Sequence, residues 1–403
     1  MKNIFIFLFI IISMGILTVS ASGQMTLGQY EDEAPLGSWN ISSGLSFVYA
    51  RDATAAVTNP ALINQRPALS AAVNGFFNNT SLNKFALINT GILTARENPA
   101  FNVYGIDSGA VAIRIKQWGF SLSSGILEIY NRPAITAEYK SQGTVQQRIT
   151  FEQEGFLRST NLSLCRTFGN WMTAGIGFNL ISGELDRKYE DYYAYYDGLI
   201  ISDTRSQTFT GFFLTGGIFA EISPVISMAA VLRMPYDKKA EGESSYRYHI
   251  ASAGTDIQIN SAEDSLYRQP LMAGAGIKFS ITREFLAAVD MAFFNWSQYE
   301  VNYFGTEHKR DFKDTLKAGL GVEYTGKMKL FGREFDIPVW AGFQYDPQPM
   351  RDPDSFYTVL IFGSGIQTGR FFLHMSSHIG SEHGSGDNLQ TRNAALTLGY
   401  EIK

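Results

Sequence analysis

From Arg66 onward the chain repeats one pattern, segments of about ten residues with apolar side chains at every second position. Leu271, Ala273, Ala275, Ile277 and Phe279 alternate with Met272, Gly274, Gly276, Lys278 and Ser280. Leu316, Ala318, Leu320, Val322 and Tyr324 alternate with Lys317, Gly319, Gly321 and Glu323, and Ala394 to Ile402 repeat the pattern. Side chains of a strand point to opposite faces in turn, so each segment has one apolar face and one small or polar face. A soluble sandwich shows the same alternation, and the connections decide against it. The periodicity predicts about fourteen strands: 69–77, 109–116, 118–130, 155–167, 171–183, 206–222, 225–235, 269–280, 285–301, 312–325, 337–346, 356–367, 370–380 and 391–402. Connections after even strands are tight, as at Gln117, Gly169-Asn170, Ser223-Pro224, Thr282-Arg283 and Gly369, with 326–336 the exception. Those after odd strands are long and polar: 78–108, 131–154, 184–205 and 236–268. Short turns on one side and long loops on the other predict an all-β, transmembrane antiparallel barrel, with both chain ends on the periplasmic side. Residues 84–94 look strand-like and fall in the first long loop, and the chain ends in Lys403 rather than an aromatic residue.

Composition agrees: the chain has 30 Phe, 20 Tyr and 38 Gly with only 18% charged residues, the profile of aromatic girdles and alternating strands. A formal net charge of −5 argues against nucleic acid as a partner. Cys165 stands alone, which excludes an internal disulfide framework. Lys2, the apolar run Ile4–Val19 and the small residues Ser20 to Gly23 predict a secretory signal peptide. The run is too short for a spanning helix, and no second long apolar run follows. The expected organisation is a signal peptide over 1–21, an N-terminal segment over 22–68 and a barrel over 69–403.

The run from Ser42 reads SSGLSFVYARDATAAVTNPALINQRP. Here the sequence resembles the FadL family of outer-membrane transporters for long-chain fatty acids and other hydrophobic compounds. The likeness is most specific at Asp52-Ala53 and, five residues on, Asn59-Pro60-Ala61-Leu62-Ile63, then Arg66-Pro67 before the first strand. Weaker echoes follow at Asn295-Trp296-Ser297 and Trp340–Asp346. The resemblance implies that the N-terminal segment is a hatch in the lumen, carried by Asp52, Asn59, Pro60 and Ala61. It also implies that hydrophobic ligands land between outer loops, enter a lumenal pocket and leave sideways through a gap made by a kinked third strand. Local chemistry is compatible with a compact hatch. Pro60 fixes φ and pushes Asn59 towards an extended conformation, and Asp52 and Asn59 are able to bond nearby backbone. An ordinary tether is the plainer alternative.

The third strand, read from periodicity alone, changes phase. Trp118, Phe120 and Leu122 are apolar on the even face; past Gly125 the apolar residues Leu127 and Ile129 are odd and Glu128 is even. A strand exchanges faces only through an extra residue, so a bulge is expected at Ser123, Ser124 and Gly125: a plain glycine irregularity or, as the resemblance implies, a kink that opens the lumen sideways. Arg114, Lys278, Asp290, Lys317 and Glu323 sit on polar faces and should point into the lumen. The loop run 189–196, YEDYYAYY, offers Tyr192, Tyr193, Tyr195 and Tyr196 as a landing surface for ligands or as an interfacial girdle. Tyr236 opens the fourth long loop, another wall of that groove. His374 and His378 are about 13 Å apart on a strand, too far to share an ion, and His383 falls in the following loop, so no metal site is expected. No phosphate loop, nucleophile elbow or Cys/His pair appears, so neither an enzyme nor a cofactor is expected. The expected partners are a hydrophobic small molecule and outer-membrane lipid, with the protein a monomer. The alternative is a barrel of the PorV type, which shares the fourteen strands and a similar Asp-Ala…Asn-Pro-Ala segment and binds secreted proteins in type IX secretion.

Overall fold

The computed structural model describes residues 47–49, 52–80, 95–96, 101–130, 132–194, 198–250, 253–261, 264–303, 306–309, 311–330, 332–349, 351, 354–384 and 390–402. In chain order the strands are β1 (Leu69–Thr80), β2 (Ala95–Arg96), β3 (Phe101–Ile115), β4 (Trp118–Ile129), β5 (Arg132–Ser141), β6 (Thr144–Phe168) and β7 (Met172–Tyr193). Next come β8 (Leu199–Glu221), β9 (Ile226–Arg233), β10 (Tyr236–Ile250), β11 (Thr255–Ser261), β12 (Ser265–Gln269), β13 (Met272–Ser280) and β14 (Phe285–Phe294). The last are β15 (Glu300–Tyr303), β16 (Thr306–Lys309), β17 (Thr315–Leu330), β18 (Arg333–Pro347), β19 (Phe356–Thr368), β20 (Phe371–His383) and β21 (Gln390–Ile402).

Fourteen of these strands close into an antiparallel barrel. β1 pairs with β3 on one side and with β21 on the other, from Leu69↔Ile402 to Thr80↔Thr391, so the sheet has no free edge at this height. The closed ring runs β1-β3-β4-β6-β7-β8-β9-β13-β14-β17-β18-β19-β20-β21. Its outer surface is apolar: Phe120, Leu122, Ile176, Phe178, Leu180, Phe212, Leu214, Ile218, Leu320 and Leu398 are exposed. Its inner surface carries buried Ser121, Ser123, Asn161, Asn179, Thr215, Asp290, Glu323 and Thr397. Apolar outside and polar inside inverts a soluble protein, and so wide an apolar band requires lipid around it.

The barrel stands taller than periodicity indicates. On β7 the outward face changes from Ile176, Phe178 and Leu180 to Ser182, Glu184, Asp186, Lys188 and Glu190 while pairing with β6 continues to Gln147↔Tyr193. The segments 131–154, 184–205 and 236–268, read above as loops, therefore contain strands β5, the start of β6, the outer parts of β7 and β8, and β10 to β12. Their outward residues face water, so they lack the apolar-polar alternation that marks a strand in lipid. The irregular turn 326–336 is likewise strand: β17 pairs with β18 out to Leu330↔Arg333. His383 ends β20 and does not lie in a loop. The expected signal segment 1–21 and the strand-like stretch 84–94 lie outside the described residues.

Four adjacent strands break at one height. Thr215, Arg233, Met272, Phe294 and Thr315 form a continuous row of ladder partners. Beyond it the ladder resumes with Tyr236↔Gln269 and Arg268↔Glu300. Met234-Pro235 and Pro270-Leu271 lie between, where proline has no N–H to give, and Trp296–Gln298 forms an inward 3-10 turn. The faces exchange there: Val231 is lumenal below the break, and Tyr236, Lys238 and Ala240 are buried above it.

Candidate functional site: a plugged lumen under an aromatic cluster

Three layers lie in the lumen, beginning at the end of the short turns with the N-terminal segment. Ala55–Thr58 is one helical turn and Pro60–Gln65 a 3-10 turn. Between them Asn59 has φ −141° and ψ 105°, the extended conformation imposed on a residue before proline. Asn59 is fully buried; its Nδ2 donates to Phe47 O at 2.8 Å and its Oδ1 accepts from Ala61 N at 3.0 Å. Asp52 Oδ1 accepts from Thr54 N at 2.8 Å, closing the turn that starts the helix. Ala53, Ala56 and Ile63 pack with the wall residues Ala110, Ala112 and Cys165, while Val48, Ala55, Ala61 and Leu62 pack with Phe219, Ala229 and Ala288.

The wall holds this segment by side chains read above as lumenal. Asp290 Oδ1 accepts from Phe47 N at 3.2 Å, Tyr49 OH donates to Glu323 Oε1 at 3.3 Å, and Arg114 Nη1 donates to Asn64 O at 3.1 Å. Lys278 Nζ lies over the rings of Tyr49 at 5.7 Å and Phe219 at 5.8 Å. Lys317 faces inward as well but binds Asp346 at 2.8 Å instead of the plug. Arg66 forms an ion pair with Glu401, and Asn64 Nδ2 donates to Gln117 O at 2.9 Å.

Above the plug lies a hydrogen-bonded polar layer. Asn161 Nδ2 donates to Asn179 Oδ1 at 2.9 Å, Ser163 Oγ to Asn161 Oδ1 at 2.6 Å, and Asn179 Nδ2 to Thr215 Oγ1 at 3.3 Å. All four are buried, and polar groups survive at such depth because they pair.

The third layer is aromatic. Tyr130, Leu157, Ile181, Phe209, Phe213, Tyr236, Tyr267, Trp296, Tyr299 and Val301 form one buried cluster. Phe213 and Tyr236 stack at 4.6 Å, and Phe209 lies 5.5 Å from both Tyr130 and Tyr267. Tyr236 therefore belongs to the lumen and not to an outer landing loop; the break at Pro235 turns its side chain inward. Tyr192 and Tyr193 are half-buried at the end of β7, and Tyr195 and Tyr196 lie outside the described residues. Within the cluster Lys238 Nζ reaches both carboxylate oxygens of Glu128 at 2.8 Å, and both side chains are buried. Alternation on β4 placed Glu128 off the lipid face, but Lys238 was hidden in a segment read as loop. Its signal is the alternation of Tyr236, Lys238 and Ala240 with Asp237, Lys239 and Glu241.

β4 is irregular, though not where glycine suggested. Ser123, Ser124 and Gly125 pair on both sides, with Asn161, Thr160 and Ser159 of β6 and with Ala110, Gly109 and Ser108 of β3. The β4–β6 register instead shifts between Ile126 and Glu128, leaving Leu127 as the inserted residue. Gly125 stays in line, paired with Ser108 on one side and Ser159 on the other, whereas buried Leu127 joins the aromatic cluster. Pairing of β4 with β3 ends at Ser108↔Gly125, while β3 continues out to Phe101 along β1. Between Phe101–Asp107 and Ile126–Ile129 the described wall has no ladder. Arg158 Nη2 crosses this gap to donate to Ile106 O at 2.9 Å.

His374 and His378 are buried in the lumen, His374 stacked on Phe372 at 4.7 Å. Among the described residues no group of three or more His, Cys, Asp or Glu is placed to hold a metal ion.

The barrel has solved counterparts. The Pseudomonas aeruginosa FadL homologue matches over 95% of this chain and 100% of its own, with TM-score 0.63 and 11% identity. The fold is the FadL-type barrel. The Ralstonia pickettii toluene transporter TbuX shares this FadL-type fold over 92% of this chain and 99% of its own, at TM-score 0.63 and 12% identity. The Pseudomonas putida toluene transporter TodX does so over 92% and 99%, at TM-score 0.65 and 12% identity. At such identities the likeness concerns the FadL-type fold alone. No sequence family and no curated relative matches the chain.

Proposed function

We propose that this protein belongs to the FadL family, resides in the bacterial outer membrane after signal-directed export, and takes up small hydrophobic molecules without catalysing a reaction. The observation that carries the reading is the juxtaposition of the buried aromatic cluster with the break between β3 and β4, above an N-terminal segment packed against the lumenal wall. Aromatic side chains offer an apolar ligand a large contact area. The polar layer of Asn161, Asn179 and Thr215 beneath them offers it nothing, and the plug obstructs the straight path. Sideways release into lipid spares an acyl or aryl group from water, at roughly 0.8 kcal/mol per methylene. The toluene transporters and the FadL homologue that share the fold are consistent with this substrate class.

The test is uptake of tritiated oleate and of labelled toluene by cells that express the protein, against cells with an empty vector. Faster accumulation of either probe is expected. Equal accumulation of both, with the barrel present in outer-membrane fractions, would overturn the proposal.

A further inference from the structure

The break in the wall and the buried ion pair belong to one device. Gly125, Ile126, Leu127, Glu128 and Tyr130 are all buried, so the period of two seen along Trp118–Ser123 is lost and the outer end of β4 has protein on both faces. Glu128 meets Lys238 of β10, which pairs with Gly211 of β8. From β4 to β10 the route along the wall passes β6, β7 and β8, four spacings or roughly 19 Å. Two side chains do not bridge that distance from a regular wall, so their contact requires the end of β4 to curve into the lumen. On its other side β4 has already parted from β3 beyond Ser108↔Gly125. Tyr130 OH also donates to Glu128 Oε2, at 2.5 Å, and Lys238 Nζ lies 5.8 Å from the Phe209 ring and 5.5 Å from Tyr267. The carboxylate is thus held by Tyr130 from its own stretch of chain and by Lys238 from the β8–β10 side, away from β3.

We propose that the Glu128–Lys238 ion pair is the strut that keeps the outer end of β4 off β3 and so holds the side opening in the wall. Lys238 is a positioning residue that acts through Glu128. Ladder pairing is the default for adjacent strands with free backbone groups, so without the strut β4 swings outward and extends its pairing with β3. The consequence for uptake rests on the transport reading above; the geometry of the opening does not.

The experiment reads closure directly. In a Cys165→Ala background, Ile106→Cys and Leu127→Cys introduce cysteines that the β3–β4 register would set opposite each other if it ran two residues past Ser108↔Gly125. Oxidation in outer-membrane fractions should cross-link this parent weakly. Adding Glu128→Gln or Lys238→Met should raise the cross-linked fraction several-fold. Lys238→Arg and the exchanged pair Glu128→Lys with Lys238→Glu should return it towards the parent level, which a general loosening of the barrel would not do. Uptake of the better probe, measured without the cysteines, should fall several-fold in the single variants and recover in the exchanged pair. Single variants that cross-link no more than the parent, or a parent that cross-links fully, would refute the strut. A protein that takes up neither probe but shows the cross-linking pattern retains the strut and loses the transport reading. Should Lys238→Met fail to assemble, the near-isosteric Glu128→Gln decides alone.

Discussion

The Asn59 carboxamide stands where a Cβ on Gly217 would be, so the plug and the β8 wall are fitted to each other at one atom's width. On β7 the fit repeats, because a Cβ on Gly175 would lie 2.8 Å from Ala61 N. Gly217→Val should therefore push the plug from its seat while leaving the barrel, which closes through β1 and β21, intact. Asn59→Ala removes the bonds to Phe47 O and Ala61 N and should weaken docking by about 1–3 kcal/mol. Planar-bilayer recordings are expected to show near-zero conductance for the native protein and larger, fluctuating conductance for both variants. Unchanged recordings would mean that something other than this segment closes the lumen.

Phe209 links Tyr130 to Tyr267 at the centre of the aromatic cluster. If the proposed uptake function holds, Phe209→Ala should reduce affinity for the better of oleate and toluene roughly tenfold, about 1.4 kcal/mol. Competition binding to the detergent-extracted barrel measures this, and undiminished affinity would place the binding site elsewhere.

Breaking the buried pair should cost more than replacing it. Glu128→Leu leaves the Lys238 ammonium without its carboxylate, a loss of about 3–5 kcal/mol for a buried pair. Glu128→Leu with Lys238→Met removes both charges and should recover much of that stability. Urea unfolding of the barrel in lipid vesicles compares the two. A double variant as unstable as the single one would show that the side chains matter for shape and not for charge.

Acid should act first on the outer hairpin. Arg247 binds Asp256 through two hydrogen bonds, at 2.9 and 2.7 Å, and holds its carboxyl below the ordinary value of 3.8. A carboxyl lowered on folding stabilises above its unfolded pKa, and the contribution is lost as pH falls through the folded value. Hydrogen bonds from Lys140 and then Arg148 lower Glu138 in the same sense. Protection of the β10 and β11 amides, relative to the intrinsic exchange rate at each pH, should fall below about pH 4 while that of the β1–β21 ladder holds. Asp256→Asn should remove that pH dependence, and equal loss of protection in both ladders would contradict the local assignment.

Much of the barrel was legible because lipid imposes a rule on single residues. A charge on the lipid face near the midplane costs roughly 2–4 kcal/mol for Arg or Lys, so alternation alone separated the two faces and placed Arg114, Lys278, Asp290, Lys317 and Glu323 inward. The same rule flagged β4 as irregular past Gly125, although with Leu127 and Glu128 both buried the alternation is lost there and not shifted to the other face. Outside the membrane it lapses: Ser182, Glu184 and Asp186 are as content in a loop as on a strand, so the outer ladders lacked the lipid signature, Tyr236 was assigned to an outer loop and Lys238 was missed. Bulge placement depends on which residue the neighbouring strands leave unpaired, and local propensity favoured Gly125 where the packing chose Leu127. Which lumenal charges grip the plug, and that Glu128 finds a partner 110 residues away, are decided only when the chain closes on itself. Such contacts carry no period in the sequence. They arise from the three-dimensional requirement that every buried charge and hydrogen-bonding group meet a counterpart.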